Sequence, residues 1–389
     1  PPLASVNPMH DPSHPGPACA LRTARSVVGL VLAVALAAPP GRSAPPTDAE
    51  MTGPFPHPKG YVCHRAAAPP LIDGALTDEA WADAPWTDPF VDIEGDRKPA
   101  PRYRTRVKMI WDDEALYIGA ELEEPHVWAT LTDHDAVIFH DPDFEVFLDP
   151  DGDNHLYAEL ELNALNTTWD LLLTKPYKDG GKAINAWEIT GLKSAVRIDG
   201  TLNDPQDNDR GWTVEIRWPW TGLKELSGGA VPPKDQDRWR VNFSRVEWDT
   251  RVVGGKYEKV KGRPEHNWVW SPQGVIDMHR PERWGYVQFS TAQPGKAAFR
   301  PDPDWPTRDL LHRVYYAQRV YRKANGRYAR AVGDLGLKDV STPVDIETTR
   351  GGFEASVTTG GPGLAPRRWV ITHDAHVRAE PVAADGRPE

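Results

Sequence analysis

The sequence predicts a mainly β protein, an antiparallel two-sheet β-sandwich that carries a small C-terminal α+β appendage. Three observations predict it. Short runs of apolar and polar residues recur from Tyr61 to Phe289, separated by turn residues and without regularly alternating helices. Within them the period is two: Trp212, Val214, Ile216 and Trp218 face one way, Thr213, Glu215 and Arg217 the other. After Pro301–Trp305 the period changes, and Leu310, Leu311, Val314, Ala317, Gln318 and Tyr321 recur at helical spacing before Gly326, where a C-terminal cap belongs.

Residues 1–44 read as an export signal with upstream residues. Arg22 and Arg25 precede the apolar run from Val27 to Ala38, which suits a signal-peptide core and is short for a bilayer span. Ala38 or Arg42-Ser43-Ala44 offers cleavage points; a retained membrane anchor is the alternative. The expectation is a secreted protein, periplasmic or at the cell surface and not integral to the membrane once cleaved. Cys63 is then the one remaining cysteine, so no intramolecular disulfide forms.

Residues 45–60, rich in Pro, Gly and Thr, read as a linker, and 61–292 as the sandwich. Strands are expected at Arg104–Trp111, Leu116–Leu122, Phe144–Asp149, His155–Asn163 and Thr168–Thr174. Further ones are expected at Gly191–Ile198, Gly211–Trp218, Arg238–Glu247 and Trp284–Ser290. Residues 305–380 form the α+β appendage: the helix, a short helical or turn segment at Tyr328–Leu337, and strands at Val344–Thr348, Phe353–Thr358 and Arg368–Thr372. Residues 381–389 read as a disordered tail. The formal net charge of −11, with no concentrated Lys/Arg face, excludes nucleic acid as the expected partner.

Several motifs occur in order: Leu71-Ile72-Asp73-Gly74-x-x-x-Asp78-Glu79-x-Trp81, Val107-x-x-x-Trp111-Asp112-Asp113-x-x-Leu116-Tyr117-Ile118, and Phe144-Glu145-Val146-Phe147-Leu148-Asp149. Gly211-Trp212-Thr213-Val214-Glu215-Ile216-x-x-Pro219-Trp220, Val241-Asn242-Phe243 and Pro281-x-x-Trp284-Gly285 follow. Over residues 61–290 this series resembles the family 9 carbohydrate-binding modules. The resemblance implies a jelly-roll-like sandwich, bound Ca²⁺ and a saccharide held between aromatic rings. It places a ring at Phe139 and polar ligand groups at Glu145 and Asn242. It departs at two positions, with Met278 where the family has its second sandwiching Trp and Glu161 where it has an Arg. Ala317-Gln318-x-x-Tyr321, Asn325-Gly326-Arg327-Tyr328-Ala329 and Asp334-Leu335-Gly336-Leu337 carry a weaker resemblance, over about 310–337, to type IV pilin-like proteins.

Saccharides need aromatic rings for their C–H faces and paired donors and acceptors for their hydroxyls. Glu159, Glu161 and Asn163 alternate with Leu160 and Leu162, so they share one strand face, and Asn166 and Trp169 follow. Arg245 and Glu247, with Trp248, form a second polar-aromatic set. Trp270 and His279, with His266, Asn267 and Trp268, form a third. The alternative for all of these is a solvated outer face.

Asp149, Asp151 and Asp153, grouped around Gly152, are the clearest candidates for Ca²⁺, with a plain acidic hairpin turn as the alternative. Asp73 and Asp78, beside Glu79, are a second candidate by the family resemblance. His134, Asp135, His140, Asp141 and Asp143 match no standard metal spacing. The expected function is non-catalytic saccharide or polysaccharide binding in polysaccharide breakdown or uptake. Two alternatives stay open. Glu159 and Glu161, about 6.5–7 Å apart along a strand, overlap the carboxylate separations of glycoside hydrolases. A DOMON-type haem protein would draw axial ligands from Met109, Met278 or His279.

Overall fold

The computed structural model describes residues 48–226, 228, 231–361 and 364–382. The export-signal reading at 1–44 and most of the tail lie outside them. The strands are β1 (Gly60–Arg65), β2 (Val91–Asp92), β3 (Thr105–Trp111), β4 (Ala115–Glu123) and β5 (Asp143–Asp149). Next come β6 (Tyr157–Asn163), β7 (Thr168–Leu173), β8 (Ala183–Ile184), β9 (Lys193–Asp199) and β10 (Gly211–Pro219). Then follow β11 (Arg238–Glu247), β12 (Thr250–Val253), β13 (Lys256–Lys259), β14 (His266–Val269) and β15 (Gly285–Ser290). A short helix, α1 (Glu79–Ala82), precedes β2, and α2 (Trp305–Asn325) follows β15. The last sheet is β16 (Asp345–Thr348), β17 (Phe353–Gly361), β18 (Leu364–Thr372) and β19 (Val377–Pro381).

The protein is mainly β, built on one large curled sheet. Among the described residues this sheet has 13 strands, in the order β8-β7-β6-β5-β11-β15-β1-β3-β4-β10-β9, with β14 on β11 and β2 on β14. The expectation of purely antiparallel pairing needs correction, because β1 runs parallel to both β15 and β3. A parallel pair needs a long crossover, and residues 66–104 provide one between β1 and β3. That parallel strand joins the two halves into a continuous sheet. Inward residues of both halves share one core, in which Phe144, Leu160 and Phe243 meet Ile118, Val214 and Trp218. Opposite-parity residues on β5, β6 and β7 point to the other surface. A one-residue slip would therefore exchange core and site.

A second core is formed by α2 and the sheet β16–β19. Gly326 takes the left-handed conformation (φ 68°) that ends α2, and its N–H donates to Arg322 O. The stretch read as a linker is packed: Met51 lies in this second core, and Thr52 O accepts from Arg313 Nε. Among the described residues no helix is long and apolar enough to cross a membrane.

The Leu71–Trp81 motif has a structural purpose. Glu215 of β10, fully buried, accepts from the backbone N–H of Asp73 and of Gly74 and from Trp81 Nε1, at 2.9, 2.7 and 2.7 Å. Gly74 sits at φ +83°, where an added Cβ would lie 2.8 Å from Arg197 N. One carboxylate thus pins the loop and α1 to the sheet. Replacing Glu215 with Ala strands three donors, and each buried unpaired donor costs about 1–3 kcal/mol. The expected loss in urea unfolding is on the order of 3–5 kcal/mol, against about 1 kcal/mol for Asp73→Ala, whose carboxylate serves only an exposed turn. Equal losses would contradict this division of labour.

Candidate ligand cavity on the β5–β6–β7 face

Antiparallel register builds a row across three strands: Glu145 on β5 faces Glu161 on β6, which faces Trp169 on β7. The next row is Phe147, Glu159 and Leu171. These residues floor a cavity of about 290 Å³. Its walls include Phe139, Tyr177, Asn267 and the Asp277–Met278–His279 turn. The volume lies near the lower limit for small-molecule sites, about 300–1,000 Å³. The floor sets three carboxylates beside Trp169, Phe147 and Leu171, and Phe139 and Tyr177 add aromatic walls.

The carboxyls are out of water. Glu145 and Glu161, with Asp143 beside them, each present an oxygen within 4.8 Å of the others. Burial pushes the Glu145 carboxyl up to about 7. Burial, then repulsion from Glu145, holds Glu159 and Glu161 well above the usual carboxylate range, and the same two causes raise Asp143. Glu161 Oε2 accepts the Phe139 N–H at 2.9 Å, which fixes that aromatic at the rim. Glu159 Oε2, Asp143 Oδ2 and Trp169 Nε1 are buried without a hydrogen-bond partner. His279 has its Nδ1 2.9 Å from the Tyr157 hydroxyl, and its Nε2 4.0 Å from Glu159 Oε2. Burial pulls its imidazole down to about 4, so it is neutral at neutral pH.

Five sequence-chosen residues therefore meet here: Phe139, Glu145, Glu161, Trp169 and His279. Six others lie elsewhere, each for a physical reason. Arg245 and Glu247 share the parity of Phe243, so they leave β11 on the opposite side from Glu145. There Arg245 donates to Glu124 Oε2, Glu247 Oε2 and Glu123 O as a buried ion cluster. Asn242 spends its amide on Ser271, donating to its O and accepting from its N–H. Asn163 caps the β6–β7 turn, accepting from Leu165 N and Thr167 N. Asn166, at φ 60° in that turn, donates to Ser194 O. Trp270 is 1% exposed and packs on Gly285, so it has no face for a ligand.

The sequence reading had Glu159 and Asn267 in its polar-aromatic sets but passed over Phe147 and Tyr177. Glu159 was legible from its two-residue spacing to Glu161; Tyr177 was not, because a loop carries it in from beyond β7. Met109 is buried in the core, and Met278 and His279 are adjacent in sequence. These residues therefore cannot grip one iron from two sides, and the haem alternative loses its ligands.

Asp149, Asp151 and Asp153 also come together, each with a carboxylate oxygen within 4.8 Å of the others. Burial, then repulsion from its two neighbours, raises Asp149 well above its usual range. The same loop clasps the C-terminal part: Asp153 Oδ2 accepts from His376 at 2.9 Å, and Asn154 Nδ2 donates to Ala375 O at 2.8 Å. Asp73 and Asp78 accept from Ala75 N and Leu71 N instead, and join no third acid among the described residues. The histidine candidates separate likewise. His134 and Asp135 group with Glu188, whereas Asp141 accepts from Thr130 N and Leu131 N.

A raised carboxyl in the folded state favours folding at low pH. For Glu145 that contribution is complete below about 4.5 and is lost as pH rises through about 7. Glu145→Gln removes the dependence. It should be more stable than wild type at pH 8 by on the order of 2–3 kcal/mol and nearly equal at pH 4.5. Urea unfolding at the two pH values reads this together with the relief of Glu159, Glu161 and Asp143, which Glu145 also raises and which acts in the same direction. A variant less stable at pH 8 would show the carboxyl to be compensated in the fold.

Residues 72–232 match the family model described as carbohydrate family 9 binding domain-like. The match is shorter than the 61–290 expected from motif order, and the closing Pro281-x-x-Trp284-Gly285 falls outside it. No curated protein matches the sequence. Among solved structures, a carbohydrate binding module family 9 from Caldicellulosiruptor kristjanssonii, in complex with cellotriose, is 16% identical. The alignment covers 63% of this chain and 100% of that one, with a TM-score of 0.39. A carbohydrate binding module family 9 from the same organism in complex with glucose is 15% identical over 61% and 100%, with a TM-score of 0.38. A putative carbohydrate-binding protein from Bacteroides uniformis is 15% identical over 60% and 100%, with a TM-score of 0.45. By the family match, residues 72–232 of this chain are similar to the carbohydrate family 9 binding domains.

Proposed function

We propose that this chain is a non-catalytic saccharide-binding protein that works outside the cytosol, and that the cavity on the β5–β6–β7 face is its binding site. The single observation that carries the reading is the convergence of Phe139, Glu145, Glu161, Trp169 and His279 on one cavity. Aromatic walls suit the C–H face of a pyranose, and unpartnered polar atoms suit its hydroxyls. The large sheet is read as a jelly-roll-like sandwich whose concave side is the site. Residues 61–292 would be the binding domain, residues 305–380 its appendage, and residues 1–44 the export signal. The role is in polysaccharide breakdown or uptake.

Hydrolysis is the weaker reading. Glu145, Glu159 and Glu161 rise side by side from two paired strands, as one wall. Glycosidase carboxylates flank the scissile bond from opposite sides.

Ca²⁺ belongs in the proposal at Asp149, Asp151 and Asp153. Hard oxygen donors at that spacing suit the ion, and a cation would relieve the repulsion that raises Asp149. It would brace the clasp to the C-terminal part rather than touch the saccharide.

A glycan array followed by titration, with Ca²⁺ or with a chelator, tests both. Trp169→Ala should weaken binding of the best glycan about tenfold or more, as loss of a stacking ring does. Chelation should lower Tm by several degrees while leaving the Trp169 effect in place. Unchanged affinity in Trp169→Ala would remove the cavity from the account, and an unchanged Tm would remove the ion.

A further inference from the structure

The cavity is unusual in its charge. Glu145, Glu159 and Glu161 line it, and Asp143 lies beside them, all four buried. Among the described residues no Lys or Arg lines it. Asp277, also in the lining, is taken by Arg280, whose Nε donates to Asp277 Oδ2 at 2.9 Å. His279 approaches Glu159 no closer than 4.0 Å. Lys259 lies over the Trp248 ring, 3.5 Å from its centroid. Among the described residues the four acids thus form no ion pair with a Lys or Arg.

Buried carboxyls are normally paired, because removing a charge from water costs several kcal/mol or more. Two independent atoms show where a partner is missing. Glu159 Oε2 and Asp143 Oδ2 are both out of solvent and without a hydrogen bond, and Glu159 faces the cavity. Around them stand Phe139, Trp169 and Tyr177, whose ring faces attract a cation as well as an apolar sugar face.

We propose that the ligand is a cationic saccharide, an amino sugar with a free, protonated amine that is received by Glu159 and Glu161 beside Glu145. This rests on the saccharide reading above and narrows it. The ammonium supplies three donors to acceptors that the fold leaves open, while the ring stacks on Trp169. An acetylated amine has one N–H and no charge, and a hydroxyl has none, so neither offsets the acids. Burial and repulsion from Glu145 raise these carboxyls, and an ammonium beside them favours their ionised form. Binding of the ammonium therefore releases protons to the solvent.

Isothermal titration of the full chain with three trimers tests the proposal: β-1,4-linked glucosamine, its N-acetylated counterpart and cellotriose. All are run in chelator-treated buffer and again with added Ca²⁺. The deacetylated trimer should bind about tenfold or more tightly than the others, the value of one charge-assisted hydrogen bond. The preference should vanish in Glu159→Gln and Glu161→Gln. Repeating the wild-type titration in buffers of different ionisation heat should reveal proton release, a readout that needs no variant. Equal affinity for cellotriose overturns the amine and leaves saccharide binding intact. Binding of any trimer only with added Ca²⁺ overturns it in favour of a site that depends on a metal ion. If no trimer binds under either condition, the amine proposal fails, and the glycan array then decides whether the saccharide reading falls with it.

Discussion

The β5–β6–β7 register is the constraint on which everything else depends. It sets Glu145 beside Glu161 and Glu161 beside Trp169 on one surface, and Phe144, Val146, Leu160 and Leu162 in the core on the other. Period-two geometry makes the two sets inseparable, so the packing that holds the core in place also holds four acids together out of water. Burial and mutual repulsion of the acids oppose folding at neutral pH, offset in part by the hydrogen bonds that Glu161 and Asp143 accept from the backbone N–H groups of Phe139 and Val246. Their retention is intelligible as a binding device whose strain the rest of the sheet absorbs.

That sheet is braced from two sides. Glu215 ties the Leu71–Trp81 loop to β10, and the Asp149–Asn154 turn ties β5 and β6 to the C-terminal part. In the second clasp, Asn154 Nδ2 lies 2.9 Å from His312 Nε2, and His312 Nδ1 lies 2.7 Å from Arg308 O. The pattern makes the ring neutral with its proton on Nδ1, consistent with burial pulling it down to about 3. The cavity thus sits on strands whose ends are fixed, as a preorganised site requires.

The strands were legible because alternation is a local signal. Arg238–Glu247 and Gly211–Trp218 agree with the structure almost residue for residue, and the helix stop at Gly326 was equally readable. The parallel strand β1 was not, since Tyr61–Arg65 gives no hint of which neighbours it will meet. At the site, Glu161 and Trp169 were readable from parity within one hairpin. Arg245 and Glu247 went astray because parity on β11 must be counted from Phe243, whose side is set by the tertiary fold. Trp270 looked like a ligand platform only because burial under Gly285 leaves no mark in its own segment.

The central claim is that a saccharide with a free amine fills this cavity. A crystal structure of the chain with bound glucosamine trimer tests it most directly. The account predicts a sugar ring stacked on Trp169, with its amine at hydrogen-bond distance, about 2.7–3.0 Å, from the carboxyls of Glu159 and Glu161. A trimer seated on another surface, or with its amine turned away from those acids, would contradict it.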